Sequence, residues 1–395
     1  MQARARPPIP RTVWALGLVS LFMDISSETI HALLPLFLTA TLGASVALVG
    51  LIDGVAEATA SIAKVFSGYL SDRLRKRKML ILTGYGLAAV TKPLFALAGS
   101  PAVVFGARFA DRIGKGLRGA PRDALVADVT PPEIRGRAFG LRQSLDTVGA
   151  FAGPLLAIGL MVLFANDIRM VFWIAVFPAV IAVACVVFGV EDAPAAIAPV
   201  AAPPVQLNDL KRLPRAFWMV TLIGVVFTLA RFSEAFLILK ASAEGLPLVL
   251  APLVLVVMNI VYALGAYPAG IWSDRVPAQW LFGWGLVALI AADLSLGLLP
   301  GLGGAFLGIA LWGAHMALTQ GLLAKLVADH APADLRGSAF GAFNLMTGVA
   351  MLFASVIAGL VWDRFGADVT FLVGAGFAAV AMLIAARLKA VAEVV

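Results

Sequence analysis

Three side chains near the start of the chain can do chemistry together. Asp24, Glu28 and His31 stand at i, i+4 and i+7 inside the apolar run 13–38, a spacing that puts all three on one face of a helix. A carboxyl in such a run can take a proton or hold a cation. Asp53 and Glu57 repeat the i, i+4 step in the run 45–70. They stand nearer one end of it, where lining an exposed vestibule is the simpler reading. The run 102–125 carries Arg108, Asp111, Arg112, Lys115, Arg118, Arg122 and Asp123, and the run 138–164 adds Arg142 and Asp146. Later come Arg231 and Glu234, one helical turn apart, then Asp293 and Lys325. An ionisable group at the centre of a membrane helix costs about 3 kcal/mol on insertion scales, so each needs a partner or a watery cavity. Structural ion pairing suits Lys64, Asp123, Arg142 and Asp146. For Asp24, Glu28 and Arg112 the functional reading is at least as good: one of the two acids binds a proton or a cationic substrate, and Arg112 competes for the same carboxylate. The polar groups Asn259, Tyr262, Tyr267, His315, Gln320 and Asn344 read first as interhelical hydrogen-bond formers and second as substrate contacts.

The elements that must position these groups are membrane helices. Hydrophobic residues make up 61% of 395, charged ones 13%, and no soluble domain is built that way. Apolar segments fall at 13–38, 45–70, 79–98, 102–125, 138–164 and 170–189, then at 216–239, 247–272, 280–299, 303–328, 338–362 and 368–388. Each is near the roughly 20 residues a crossing requires. The fold class expected is therefore all-α integral membrane, with twelve transmembrane helices in two six-helix halves, 1–190 and 215–395. They are joined by an Ala- and Pro-rich cytoplasmic linker, 191–214. The first run keeps its acids and lacks a small-residue cleavage site, so it reads as a retained span rather than a signal peptide. Lys and Arg between spans set the orientation: with the N-terminus inside, Arg73 to Lys78, Arg135, Arg137, Lys211, Arg212, Arg275, Arg336 and Arg387 are cytoplasmic, and both termini are inside. The same distribution accounts for the net charge of +7 without a nucleic-acid face. Cys185, the single cysteine, reads as a small buried hydrophobe.

An internal repeat fixes the architecture. Val126–Gly140 returns as Val327–Gly341, with Arg135 matched by Arg336, and Gly68-x-x-x-Asp72-Arg73 returns as Gly270-x-x-x-Asp274-Arg275. The offsets are 201 and 202 residues, one six-span half, so the two copies share an orientation.

On these residues the chain resembles the major facilitator superfamily over essentially its whole length. Gly68, Asp72, Arg73, Lys76 and Arg77 match that family's loop between spans 2 and 3, with Arg75 where glycine is usual. Gly270, Asp274 and Arg275 are the second copy without the basic tail. The resemblance implies that Asp72 and Arg73 latch a gate, with Gly68 allowing close helix packing. Arg112-Ile-Gly-Lys-Gly116-Leu-Arg-Gly119 is similar to the span 4 motif whose arginine is linked to proton coupling, and Lys115 and Arg118 depart from it. Gly149, Gly153 and Pro154 resemble the span 5 motif of proton-driven bacterial exporters.

Other chemistries fail at the residues. The glycines of Gly114-Lys-Gly116-Leu-Arg-Gly119 fit a dinucleotide fingerprint, yet a membrane helix precedes them where a strand is needed. None of the histidines belongs to a His-Glu-x-x-His metal site, and no resident metal is expected. The expectation is a transporter rather than an enzyme. It works by alternating access, most simply as a proton-coupled antiporter for efflux of a small drug-like or toxic solute. The alternative is a proton-coupled carrier of an organic anion, metal ion or metal chelate, with import as a direction open to it. It needs no cofactor beyond a proton gradient, and is expected in the inner (plasma) membrane as a functional monomer, with the lipid bilayer and a small-molecule or ion substrate as its partners.

Overall fold

The computed structural model describes residues 7–74, 76–192, 207–273, 275–319, 322–332 and 335–392. Among them every long element is a helix: α1 Arg11–His31, α2 Val46–Leu74, α3 Arg77–Leu97, α4 Pro101–Val129, α5 Arg135–Leu163, α6 Ile168–Gly189, α7 Arg215–Ala230, α8 Ala235–Ala243, α9 Leu253–Ser273, α10 Ala278–Leu298, α11 Gly301–Thr319, α12 Leu322–His330, α13 Arg336–Phe365 and α14 Ala367–Ala392. In hydrocarbon each backbone N–H and C=O must be satisfied inside its own segment, and the helix does this. Prolines 93, 121, 154, 178 and 268 lie within helices, as membrane helices tolerate.

Eleven segments are long and apolar enough to cross a membrane. The twelfth expected crossing is α4. It has the length, 29 residues, but its charges exceed what an apolar window allows. All-α architecture with twelve spans therefore stands, with one span built from charged residues.

Several spans differ from plain rods. The first ends its regular helix at His31, passes a turn, and resumes as a short α-turn, Leu34–Leu36, and a π-helical turn, Phe37–Thr41. Span 7 is broken between α7 and α8, so Arg231 and Glu234 lie in non-helical chain. The helical turn expected to pair them is not there. The run 303–328 divides into α11 and α12, with Gln320 outside the described residues.

The chain gathers into two compact units. One holds Met1–Leu33 and Thr59–Pro203, the other Leu34–Ala58 and Pro204–Val395. Residues 34–58, assigned by sequence to the first half, pack in the second unit, and their contacts show why. Asp363 of α13 accepts from the backbone N–H groups of Val46 and Ala47, both at 3.0 Å, and caps the start of α2. A Cβ at Gly54 would stand 3.0 Å from the Leu352 carbonyl oxygen, and one at Gly50 would collide with that of Ser355. Small residues permit this backbone-to-backbone approach, the main source of helix association in lipid.

The first unit has a core of Val13, Leu16, Val19 and Met23 from α1 with Ile81, Tyr85, Leu125 and Val186. The second packs Phe217 and Val220 of α7 against Val327, Leu335, Ala339 and Phe343. Asp167 caps α6, accepting from the N–H groups of Arg169 and Met170.

Candidate functional site

In the first unit the acids of α1 meet the glycines of α5. A Cβ at Gly149 would come within 2.6 Å of the Leu21 carbonyl oxygen and 2.9 Å of the Asp24 Cβ, and one at Gly153 within 2.7 Å of the Glu28 Cβ. The Thr29 hydroxyl donates to the Gly153 carbonyl at 3.1 Å. Gly149, Gly153 and the buried Pro154 are thus the seat on which the acidic face of α1 rests. Two readings separate in sequence, the intramembrane acids and the span 5 motif, form one structure.

On that seat the Asp24 carboxyl has the Asp146 carboxyl of α5 as its neighbour. Asp146 also lies 3.7 Å from Arg122 Nη1 and 3.7 Å from Arg142 Nη1. Asp123 lies 3.2 Å from Arg122 Nε. Asp146, read by sequence as a member of a structural ion pair, pairs with both Arg122 and Arg142 and has Asp24 as a further neighbour. One turn along α1, Glu28 Oε2 is 3.4 Å from His31 Nδ1, and the charges of Lys115 and Arg112 act on it. Both Asp24 and Glu28 are half-buried.

Arg112 is buried, 4.0 Å through Nε from Asp111, inside a cationic patch that includes Arg108 and Arg118. Lys92 completes it: its ammonium donates to Asp111 Oδ1 and to the Ser27 hydroxyl, both at 2.9 Å, with only 2% of the residue exposed. Lys92 is not among the sequence candidates. The rule that an intramembrane charge is a site by default covers it, a lone cation in the run 79–98. The Arg118 guanidinium lies 4.5 Å over the Tyr85 ring, a cation–π contact. Around Asp111, then, four buried cations share one carboxylate, with Asp24, Glu28 and Asp146 farther along.

In the second unit Asp53 is buried and accepts from the Ser233 hydroxyl at 2.8 Å. Ser233 in turn accepts from the Ala235 N–H at 3.1 Å. Asp53 thereby holds the broken part of span 7 instead of lining an exposed vestibule. Glu57 is half-buried. Arg231 acts electrostatically on His315 and Tyr262. At one end of this unit Lys240 bonds Glu244 at 2.5 Å and Asp368 at 2.6 Å, and Glu244 accepts from the Gly301 N–H at 2.6 Å. These partners, Lys240 first, hold the Glu244 carboxyl below its ordinary range.

The loop motif is partly visible. Arg73 and Lys76 are exposed, and Arg77 Nε lies 2.9 Å from Asp128 Oδ2 at the end of α4. A Cβ at Gly68 would meet Ala120 at 3.5 Å and one at Gly270 nothing within 4 Å. The close packing expected at Gly68 is therefore an ordinary van der Waals contact. Arg275 is exposed; Asp274 and the Asp72 side chain lie outside what the structure describes. Among the described residues no group of three His, Cys, Asp or Glu is placed to hold a metal.

Helical spans with a charged interior carried on glycine crossings define an integral-membrane transporter. The family profile described as the Major Facilitator Superfamily matches residues 16–354 and 245–394. The chain is 30% identical over 391 residues, 95% of its length and 94% of the relative's, to an uncharacterised MFS-type transporter of Methanocaldococcus jannaschii. The chain belongs to the major facilitator superfamily. The multidrug resistance protein MdtH of Yersinia enterocolitica is 32% identical over 132 residues, a third of each chain. The solved nucleoside transporter NupG superposes with a TM-score of 0.77 at 15% identity, covering 96% of this chain and 99% of that one, a likeness of fold. The family and these neighbours are transporters, which places the chain outside the enzymes.

Proposed function

We propose that this transporter is a proton-coupled antiporter that exports a small drug-like or toxic solute, working as a monomer in an inner membrane with both termini cytoplasmic. The observation that carries the reading is the Asp24–Asp146 carboxyl pair on the Gly149–Gly153 seat. A proton bound by that pair competes with Arg122 and Arg142, both 3.7 Å from Asp146. Moving α1 along α5 exchanges one set of partners for the other, and so loads or releases a proton. Glu28, beside His31, is the second carboxyl available for a proton or a cationic solute. The partial likeness to a multidrug resistance protein agrees with export.

A second reading is favoured by one feature: Lys92, Arg108, Arg112 and Arg118 are all buried and act together on Asp111, a cationic region that would attract an organic anion. Uptake into inverted vesicles, acidified inside, separates the two. Cationic dyes, divalent metals and organic anions are offered to wild type, Asp24→Asn and Glu28→Gln. Accumulation of a cationic dye that collapses with an uncoupler and in Asp24→Asn supports antiport. Accumulation of organic anions alone selects the second reading, and uptake seen only in right-side-out vesicles overturns export.

A further inference from the structure

The second unit contains one carboxyl that no part of this scheme uses. Asp293, on α10, has no exposed surface, and neither of its oxygens has a hydrogen-bond partner among the described residues. A carboxylate sealed away from water with nothing to balance it is among the costliest groups a fold can hold, whereas the neutral acid is only an unsatisfied polar group. The charged and titratable groups on neighbouring elements are His315 of α11, Asp368, Arg387 and Lys389 of α14, Tyr262 and Tyr267 of α9, Lys325, Asp329 and His330 of α12, and Arg231 and Glu234 of the break in span 7. Asp368 is engaged with Lys240, and the His315 ring lies against Phe227 and Trp312.

The break comes near Asp293 at Gly374 of α14. The place where a Cβ at Gly374 would stand is 2.9 Å from Asp293 Oδ2 and 3.0 Å from Phe232 Cε1. The bare backbone of Gly374 thus leaves room that the carboxyl and the Phe232 ring flank from two sides. Phe232 belongs to the non-helical stretch between α7 and α8, next to Ser233, which Asp53 holds. Its ring is walled by Trp312 at 5.6 Å, Phe371 at 5.4 Å and Phe236 at 5.2 Å. Interrupted helices are where transporters rearrange, and here such an interruption carries an aromatic ring beside the same glycine as a buried acid.

We propose that Asp293 is a proton-binding site of the second unit and that the break at residues 231–234, through the Phe232 ring, governs its exchange with water. Its use in pumping rests on the proton-coupled reading above; the site itself does not.

Infrared spectroscopy of the purified full chain in lipid, without gradient or substrate, tests it. The carbonyl stretch of a protonated carboxyl is expected at neutral pH in wild type and to persist in Asp24→Asn; that persisting band is expected to vanish when Asp293→Asn is added to Asp24→Asn, and to be lost at neutral pH when Phe232→Ala, which admits water, is added instead. A wild type or an Asp24→Asn protein without that band, or a band unchanged when Asp293→Asn is added, overturns the site; a band unchanged when Phe232→Ala is added overturns the gate. Should the variant with Asp293→Asn not yield folded protein, wild type is treated with dicyclohexylcarbodiimide, which modifies protonated carboxyls in apolar surroundings. Label on Asp293 is expected, and an unlabelled Asp293 beside other labelled acids overturns the proposal. If wild-type pumping ignores an uncoupler, the antiport reading fails while the band still decides Asp293.

Discussion

Breaking the Lys92–Asp111 pair should reveal how unequal its two members are. Lys92 bonds Asp111 at 2.9 Å, but Asp111 also lies in the field of Arg112, Arg108 and Arg118. In Lys92→Met the carboxylate loses one charge-assisted hydrogen bond and keeps Arg112 at 4.0 Å, a loss of about 1.5–3 kcal/mol. In Asp111→Asn the buried cations lose the carboxylate they share. Leaving buried charge uncompensated costs about 3–5 kcal/mol, roughly two to nearly four decades in the folding equilibrium. The double variant should be less destabilised than the sum of the singles by on the order of 0.5–3 kcal/mol, the coupling usual for residues in contact. Unfolding in mixed micelles against added denaturing detergent, followed by tryptophan fluorescence, measures all three. Strict additivity, or Asp111→Asn no worse than Lys92→Met, would refute the picture of one carboxylate serving several cations.

The seat under α1 predicts that Gly153→Val, whose Cβ would stand 2.7 Å from that of Glu28, loses at least the roughly 1–3 kcal/mol typical of overpacking; gel filtration of the expressed protein should show less folded monomer than Gly159→Val, where a Cβ meets nothing within 4 Å. Asp363→Ala removes the cap on α2 and should cost about 1 kcal/mol, read as a lowered melting midpoint that Asp363→Asn largely restores. Because its partners hold Glu244 below the ordinary value of 4.5, its contribution is present above about pH 4.5 and lost as pH falls through the folded value. The melting midpoints of wild type and Glu244→Gln should therefore differ at pH 7 and converge on acidification, and a gap that widens instead would contradict the Lys240 contact.

Much of the fold was legible in composition and spacing, since in lipid a long apolar run has little choice but to be a helix. The repeat relating Arg135 to Arg336 was legible because the two halves reuse one set of turns. Asp24, Glu28 and His31 shared a face as helical periodicity requires, and the charged run from Arg108 to Asp123 showed itself as an intramembrane site. Partnership was not legible. Spacing along one helix cannot say that Asp24 meets Asp146, that Gly149 and Gly153 seat the acids of α1, or that Lys92 finds Asp111, because those contacts join helices far apart in sequence. Nor could periodicity foresee the break at Arg231–Glu234, where three polar residues interrupt an apolar run of full crossing length and the backbone leaves the helix with them. Asp53 changed most: near the end of a span it read as a vestibule residue, and packing against span 7 turned it into the buried acceptor for Ser233. Sequence determined which residues must enter the membrane, because transfer into hydrocarbon is settled residue by residue. Tertiary structure alone decided which charges compensate one another and left Asp293 without a hydrogen-bond partner among the described residues, because the cost of a buried charge depends on what other helices bring within a few ångströms of it.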